Sequence, residues 1–209
     1  MSVYIHGGLR TPIGVLNGQY RNMRPEMLGA QLIDELINRY DISQVDGIFC
    51  GNAVGTGGNI GRLMGLMTKL PNSVPAITVD MQCASALMSI EMAYTHIASG
   101  VMDSAIAGGI ESSSLQPDRI YAAGDDREGL YKVAQFSPQD CSPLAMLEGA
   151  ERTIQKHNVV KEDLYPYIIG SHKRASEALN NPHLKSYIMP ITIDGKTCVD
   201  ECIRPKMNE

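Results

Sequence analysis

Residues 75–100 read P-A-I-T-V-D-M-Q-C-A-S-A-L-M-S-I-E-M-A-Y-T-H-I-A-S-G, and this stretch limits the fold more than any other. Ala76 to Asp80 is short, apolar and β-branched at Ile77, Thr78 and Val79, the pattern of a buried strand. Ala84 to Ser99 then continues without Pro or Gly for about four helical turns, and Gly100 stands where a C-cap glycine belongs. Cys83 falls at the strand-to-helix turn. A helix start offers unpaired backbone N–H groups and a partial positive charge, a setting that suits a nucleophile and any oxyanion formed beside it. The competing reading of any cysteine is a small buried hydrophobe.

Other segments carry a resemblance. Thr78-Val79, Cys83-Ala84-Ser85, Leu87, Ala93, Ile97 and Gly100 resemble the nucleophile segment of the thiolases. Arg10-Thr11-Pro12-Ile13-Gly14 is similar to that family's N-terminal signature. Gly51-Asn52 with Gly58-Asn59, Gly61 and Arg62 resembles the loop and helix before the nucleophile. Ala107 to Ser112 resembles A-G-G-x-E-S, Ser171-His172 with Arg174-Ala175 resembles S-H-x-R-A, and Asp200-Glu201 with Ile203-Arg204-Pro205 resembles D-E-x-I-R-P. Six segments in family order are far more specific than any one of them.

The resemblance implies an α/β layered fold of the thiolase type: a mixed β-sheet, a buried nucleophile helix and a partial loop domain. It implies a core domain over residues 1–116 and an incomplete, CoA-covering loop domain over 117–209, with the boundary where Gln116-Pro117-Asp118 opens a polar, turn-rich stretch reaching Pro143. It further implies acyl transfer through a thioester on Cys83 in fatty acid metabolism, with acyl-CoA or acetyl-CoA as substrate, no permanently bound cofactor and no metal. Met146 is the implied CoA contact, although Ala145 stands where short-chain thiolases often carry His, and Ala86 where the family usually has Gly.

Carbon–carbon bond formation or cleavage also needs a base at the α-carbon and a second oxyanion hole. The family draws these from a C-terminal domain bearing G-H-P and C-x-G-x-G motifs, and neither motif occurs in the 209 residues. His6, His96, His157, His172 and His183 all lack the G-H-P setting. His96, 13 residues along the helix from Cys83, would stand about 20 Å away. The expectation is an N-terminal portion, inactive alone in thiolysis, that forms a homo-oligomer or joins a partner supplying the C-terminal domain. Two rivals stand beside it: a truncated remnant associating with a complete thiolase, and a condensing enzyme of the ketoacyl-synthase type.

A net charge of −5 without a Lys/Arg-rich block argues against nucleic acid or an anionic membrane as partner. With no apolar run of about 18 residues and no signal-peptide pattern, the expected location is cytoplasmic. Five cysteines, Cys50, Cys83, Cys141, Cys198 and Cys202, form no C-x-x-C pair and read as reduced thiols. The glycine-rich 51–61 segment fits neither nucleotide motif, because Ile60 occupies the place of the third dinucleotide glycine and no G-K-[ST] follows.

Further expectations are strands over Ser2 to Gly7, Val45 to Cys50 and Val101 to Glu111, with Tyr187 to Ile193 as an edge strand holding Pro190. Helices are expected over Arg24 to Tyr40, Arg62 to Lys69, Leu144 to His157 and Glu162 to Leu179, the last delayed or kinked by Pro166. Glu111 reads either as a buried carboxylate or as a helix cap.

Overall fold

The computed structural model describes residues 2–55, 57–132, 134–135, 137–138, 142 and 144–207. The chain divides into two compact units, Met1–Pro117 with Asn181–Cys202, and Asp118–Asn180 with Ile203–Glu209. Residues 181–202, expected in the second domain, are grouped with the first.

The first unit is built on three parallel strands in the order β2-β1-β3: β1 (Gly47–Gly51), β2 (Ala76–Val79) and β3 (Ala105–Gly109). In register, Phe49 lies between Ile77 and Ala107. All five residues of β1 are buried, which explains why it is a continuous apolar run rather than an alternating one. Parallel pairing demands long crossovers, supplied here by α2 (Ile60–Leu66) and α3 (Ser85–Ala98). A mixed sheet was expected; the described three-stranded sheet is parallel throughout, and antiparallel pairing is confined to two-residue ladders elsewhere.

The expected helix over Arg24 to Tyr40 is present. In α1 (Pro25–Arg39), Pro25 takes the first turn, where its missing N–H costs nothing, and Glu26 complements the dipole. Its buried face meets two clusters. Ile33 packs with Val45, Ile48, Cys50, Ile60, Met64 and Val74, while Leu28 packs with Met189, Ile191 and Cys198. Each such aliphatic burial stabilises by about 1.5–3 kcal/mol.

The second cluster explains the regrouping of 181–202. The remaining elements are β4 (Arg119–Ile120), β5 (Leu130–Tyr131), α4 (Ala145–Lys156), α5 (Tyr165–Asn180), α6 (Pro182–Lys185), β6 (Thr192–Ile193) and β7 (Lys196–Thr197). Pro166 sits in the first turn of α5, behind a 3-10 turn over Lys161–Leu164, so the helix is delayed rather than kinked. Of the expected 187–193 edge strand, two residues form β6, and Ile188 makes an isolated parallel bridge to Arg10.

That bridge is part of a latch between the two ends of the unit. Asp200 Oδ1 accepts from Arg10 Nη1 at 2.8 Å and from the Ile13 amide at 2.7 Å, and Oδ2 accepts from Arg10 Nη2 at 2.8 Å. Glu201 accepts from the amides of Val15 and Gln19. Gly18 passes so near that a Cβ there would stand 2.3 Å from Glu201 Oε2. The R-T-P-I-G and D-E-x-I-R-P segments are thus one device.

Its pH dependence follows. The Arg10 hydrogen bonds hold the Asp200 carboxyl below its ordinary range against the opposing effect of burial. A lowered folded value means the contribution is complete above the unfolded carboxylate value of about 3.9 and is lost as pH falls through the folded value beneath it. Asp200→Asn is expected to cost about 1–3 kcal/mol at neutral pH, with the difference from wild type closing in urea titrations below pH 4. A pH-independent difference would show that the charge is not what the latch uses.

Ser2 to Gly7 is not a strand. Tyr4 and Ile5 are 84% and 89% exposed, and the segment is tied instead by Tyr40, whose hydroxyl donates to Gly8 O and whose carbonyl pairs with His6 Nε2. Alternation favours a strand only where a neighbouring edge can complete the ladder, and none of the described strands lies beside it. No helix among the described residues is long and apolar enough to cross a membrane.

Candidate active site at the start of helix α3

The three parallel strands end together. The Asn52 amide donates to Val79 O, the Ile110 amide to Gly51 O, and Asn52 Nδ2 to Ile110 O, so the loops after β1, β2 and β3 gather on one rim. The carboxyl rim of a parallel sheet is where α/β folds place their ligands. Cys83 lies on this rim, in the turn between β2 and α3, and its side chain is exposed.

The turn has a conformation that sequence reading missed. Gln82, immediately before Cys83, has φ of 52°, a left-handed backbone uncommon for a residue with a side chain. Three side-chain contacts hold it. Asp80 Oδ1 accepts from the Gln82 amide at 2.9 Å, Ser85 Oγ accepts from the Met81 amide at 2.8 Å, and the same hydroxyl donates to Gln82 O at 2.6 Å. Asp two residues before and Ser three residues after a turn position are local hydrogen-bonding types, the one signal that could have disclosed it.

Beneath the turn, α3 is set at a fixed depth. Ser89 is fully buried, and its hydroxyl reaches Gly108 O of β3 at 2.8 Å and Ala86 O at 2.7 Å. A Cβ on Gly51 would stand 2.5 Å from both Ala86 N and Ser85 C, so glycine there lets the helix start sit on the sheet. The cap position, Ala84, has no side chain to occupy the first-turn N–H groups. A buried nucleophile helix was expected; Ser85, Ser89 and Ala93 of α3 are buried, and Leu87, Ile90 and Tyr94 are 68%, 47% and 55% exposed.

Glu111 is neither buried nor a helix cap. Its carboxylate accepts from the amides of Ala53, Val54 and Gly55, each at 2.9 Å, and from Asn52 Nδ2 at 3.1 Å, and so ties the loop after β1 to the end of β3. Four donors on one carboxylate give the glycine-rich loop a fixed shape without any nucleotide. Helix α2 also approaches β1 closely, at Gly61, where a Cβ would lie 2.9 Å from Cys50 Cβ.

The remaining candidates are distributed. Cys50 is buried in β1, and desolvation pushes its thiol up to about 11; Cys198 is also buried and raised by desolvation. Cys202 is exposed, and Cys141 lies outside the described residues. His96 turns Nδ1 to Met92 O and packs beside Phe49, with ring centroids 5.0 Å apart, a helix-end role. Met146, 81% exposed on α4, belongs to the second unit, whereas Cys83 belongs to the first. In that second unit His172 Nδ1 accepts from the Arg204 amide at 3.2 Å, tying α5 to the I-R-P segment.

The family described as "Thiolase, N-terminal domain" matches residues 3–209, and the chain belongs to that family. Among its relatives, the protein named "Putative acetyl-CoA C-acetyltransferase VraB" from Staphylococcus aureus (strain MW2) is 34% identical over 193 residues, covering 90% of this chain and 51% of that protein. The protein of the same name from Staphylococcus haemolyticus (strain JCSC1435) is 33% identical over 207 residues, covering 96% and 54%. The crystal structure of the Bacillus anthracis acetyl-CoA acetyltransferase superposes with a TM-score of 0.83 at 23% identity, over 98% of this chain and 55% of that one, so the fold is thiolase-like. The chain spans about half the length of the curated relatives it matches.

Proposed function

We propose that this chain is the acyl-accepting half of a thiolase-type acyltransferase, with Cys83 as nucleophile and an acyl-CoA, acetyl-CoA in the simplest case, as donor. The observation that carries the reading is the exposed Cys83 at an uncapped helix start on the rim of the parallel sheet, in a chain of this family. In the step proposed, Cys83 Sγ bonds to the acyl carbon while the bond from that carbon to the CoA sulfur breaks. CoA departs as a thiol, carrying the proton that the Cys83 thiol gives up. First-turn amides of α3 beyond Ser85, whose own amide donates to Gln82 O, are the candidate donors to the tetrahedral oxyanion. Met146, on the second unit, is the candidate CoA contact.

Condensation or thiolysis requires a base and a second oxyanion hole, which we assign to a polypeptide carrying G-H-P and C-x-G-x-G motifs. The setting we propose is cytoplasmic acyl-CoA metabolism, in an assembly with that polypeptide. A positioned base contributes about 10² to 10⁴ in rate and an oxyanion donor about 10² to 10³. The purified 209-residue chain, given acetoacetyl-CoA and CoA, is therefore expected to release acetyl-CoA no faster than a Cys83→Ala blank. Adding the polypeptide with the two motifs is expected to raise the rate. Turnover of about 1 to 10³ per second by the chain alone would overturn this division of labour.

A further inference from the structure

The geometry points to Ser85 as the residue that positions Cys83 for acyl transfer, by holding Gln82 in its left-handed conformation; this inference rests on the reading of Cys83 as an acyl acceptor. A left-handed residue with a side chain costs about 1–3 kcal/mol and persists only where its surroundings fix it. Here the surroundings are few. Ser85 Oγ takes the Met81 amide and gives its proton to Gln82 O, and so grips the Asp80–Met81 and Gln82–Cys83 peptide units with one hydroxyl. The Ser85 amide also donates to Gln82 O, and the Ala84 amide to Met81 O. Cys83 is enclosed in this ring, its backbone fixed and its side chain outside.

Ser85 can do this because it is itself immobile. It is 5% exposed, it opens α3, and its carbonyl carbon and oxygen lie over Gly51 of β1. Asp80 adds an acceptor for the Gln82 amide, but from an exposed position. The depth of the sheet is thus transmitted to Sγ through one buried hydroxyl. An alanine at 85 would leave the Met81 amide without its acceptor and let Gln82 relax toward ordinary φ, which turns the following residue. Misplacement of a reacting atom by about 1 Å can cost on the order of 10²-fold in rate.

The test uses the 209-residue chain with two readouts: thioester formation on Cys83 from acetyl-CoA, by mass spectrometry of the intact peptide, and iodoacetamide labelling of Cys83 relative to Cys202 in the same sample. Alkylation needs exposure but little orientation, whereas acyl transfer needs both. Ser85→Ala is expected to lower acylation by about 10²-fold while the labelling ratio stays within about threefold of wild type. Ser85→Thr, which keeps the hydroxyl, is expected to restore acylation. Gln82→Gly combined with Ser85→Ala is expected to recover part of it, because glycine adopts the left-handed conformation without support. Asp80→Ala, on the surface, gives a smaller loss in the same direction and serves if Ser85→Ala does not fold. Equal acylation by wild type and Ser85→Ala, or by wild type and Asp80→Ala where only the latter folds, overturns the inference alone. A wild-type chain that alkylates at Cys83 but never acylates removes the reading of Cys83 and this inference with it.

Discussion

Replacing Cys83 with Ser or Ala is expected to abolish acyl-CoA labelling of the chain entirely. A serine at this turn has no base to activate it, and the hydroxyl is far less nucleophilic than the thiol it replaces. The other cysteines among the described residues do not substitute for it. Cys50 and Cys198 are buried, and desolvation raises both thiols, Cys50 to about 11, so at pH 7 to 8 neither is exposed or ionised in the folded chain. Cys202 is exposed but lies in the turn after β7, without a helix start beside it. Limiting iodoacetamide followed by peptide mass spectrometry should therefore label Cys83 first of all five. Faster labelling of Cys141, Cys198 or Cys202 at neutral pH would mean that the nucleophile has been misassigned.

The second large effect is expected at a residue with no chemistry. In Gly51→Ala the new Cβ would sit 2.5 Å from Ala86 N and Ser85 C, and 2.8 Å from Ser85 O. These are backbone atoms at the start of α3, on the sheet, so no flexible side chain can yield. Overpacking of this kind costs about 1–3 kcal/mol and more where backbone must move, a fall in Tm on the order of 6–12 °C at the upper figure for a chain of this size. The neighbours supply a graded control. At Gly109 a Cβ would meet Ala86 Cβ and Gly51 O at 3.0 Å, an intermediate case, and at Gly108 it would meet nothing within 4 Å. Thermal melts should rank Gly51→Ala below Gly109→Ala below Gly108→Ala. A Gly51→Ala chain as stable as Gly108→Ala would show that α3 does not rest on β1 as described.

The graded series separates packing from chemistry at the same site. If Gly51→Ala folds, it should lose acylation along with stability, since the ring of hydrogen bonds through Ser85 is carried by the displaced segment. Cys83→Ala, by contrast, should lose acylation and keep its melting temperature, because the exposed side chain supports nothing.

Local rules were sufficient for much of the molecule. The helix over Pro25–Arg39, the buried strand Gly47–Gly51, the strand and helix around Cys83 and the helix start delayed to Tyr165 beside Pro166 each follow from periodicity, a proline or a glycine acting within its own segment. The placement of Cys83 at a strand-to-helix turn was legible for the same reason. Spacing alone also disposed of His96 as a base and of both nucleotide motifs.

What the residues by themselves could not disclose is how distant segments complete one another. The 2–7 segment alternates like a strand, yet a strand exists only with a partner edge, and the described sheet offers none to it. Asp200 lies 190 residues from Arg10, and nothing in either segment announces a bidentate pair that draws 181–202 into the first unit. Glu111 offered two readings, and the four donors that decide its role come from a loop more than 50 residues earlier. The left-handed Gln82 is local in its hydrogen bonds, but Ser85, which holds it together with Asp80, is itself pinned against Gly51 of another strand. Periodicity and turn chemistry act over a few residues and can be read along the chain; register, close approach and the satisfaction of buried polar groups depend on which segments meet, and only the folded chain decides that.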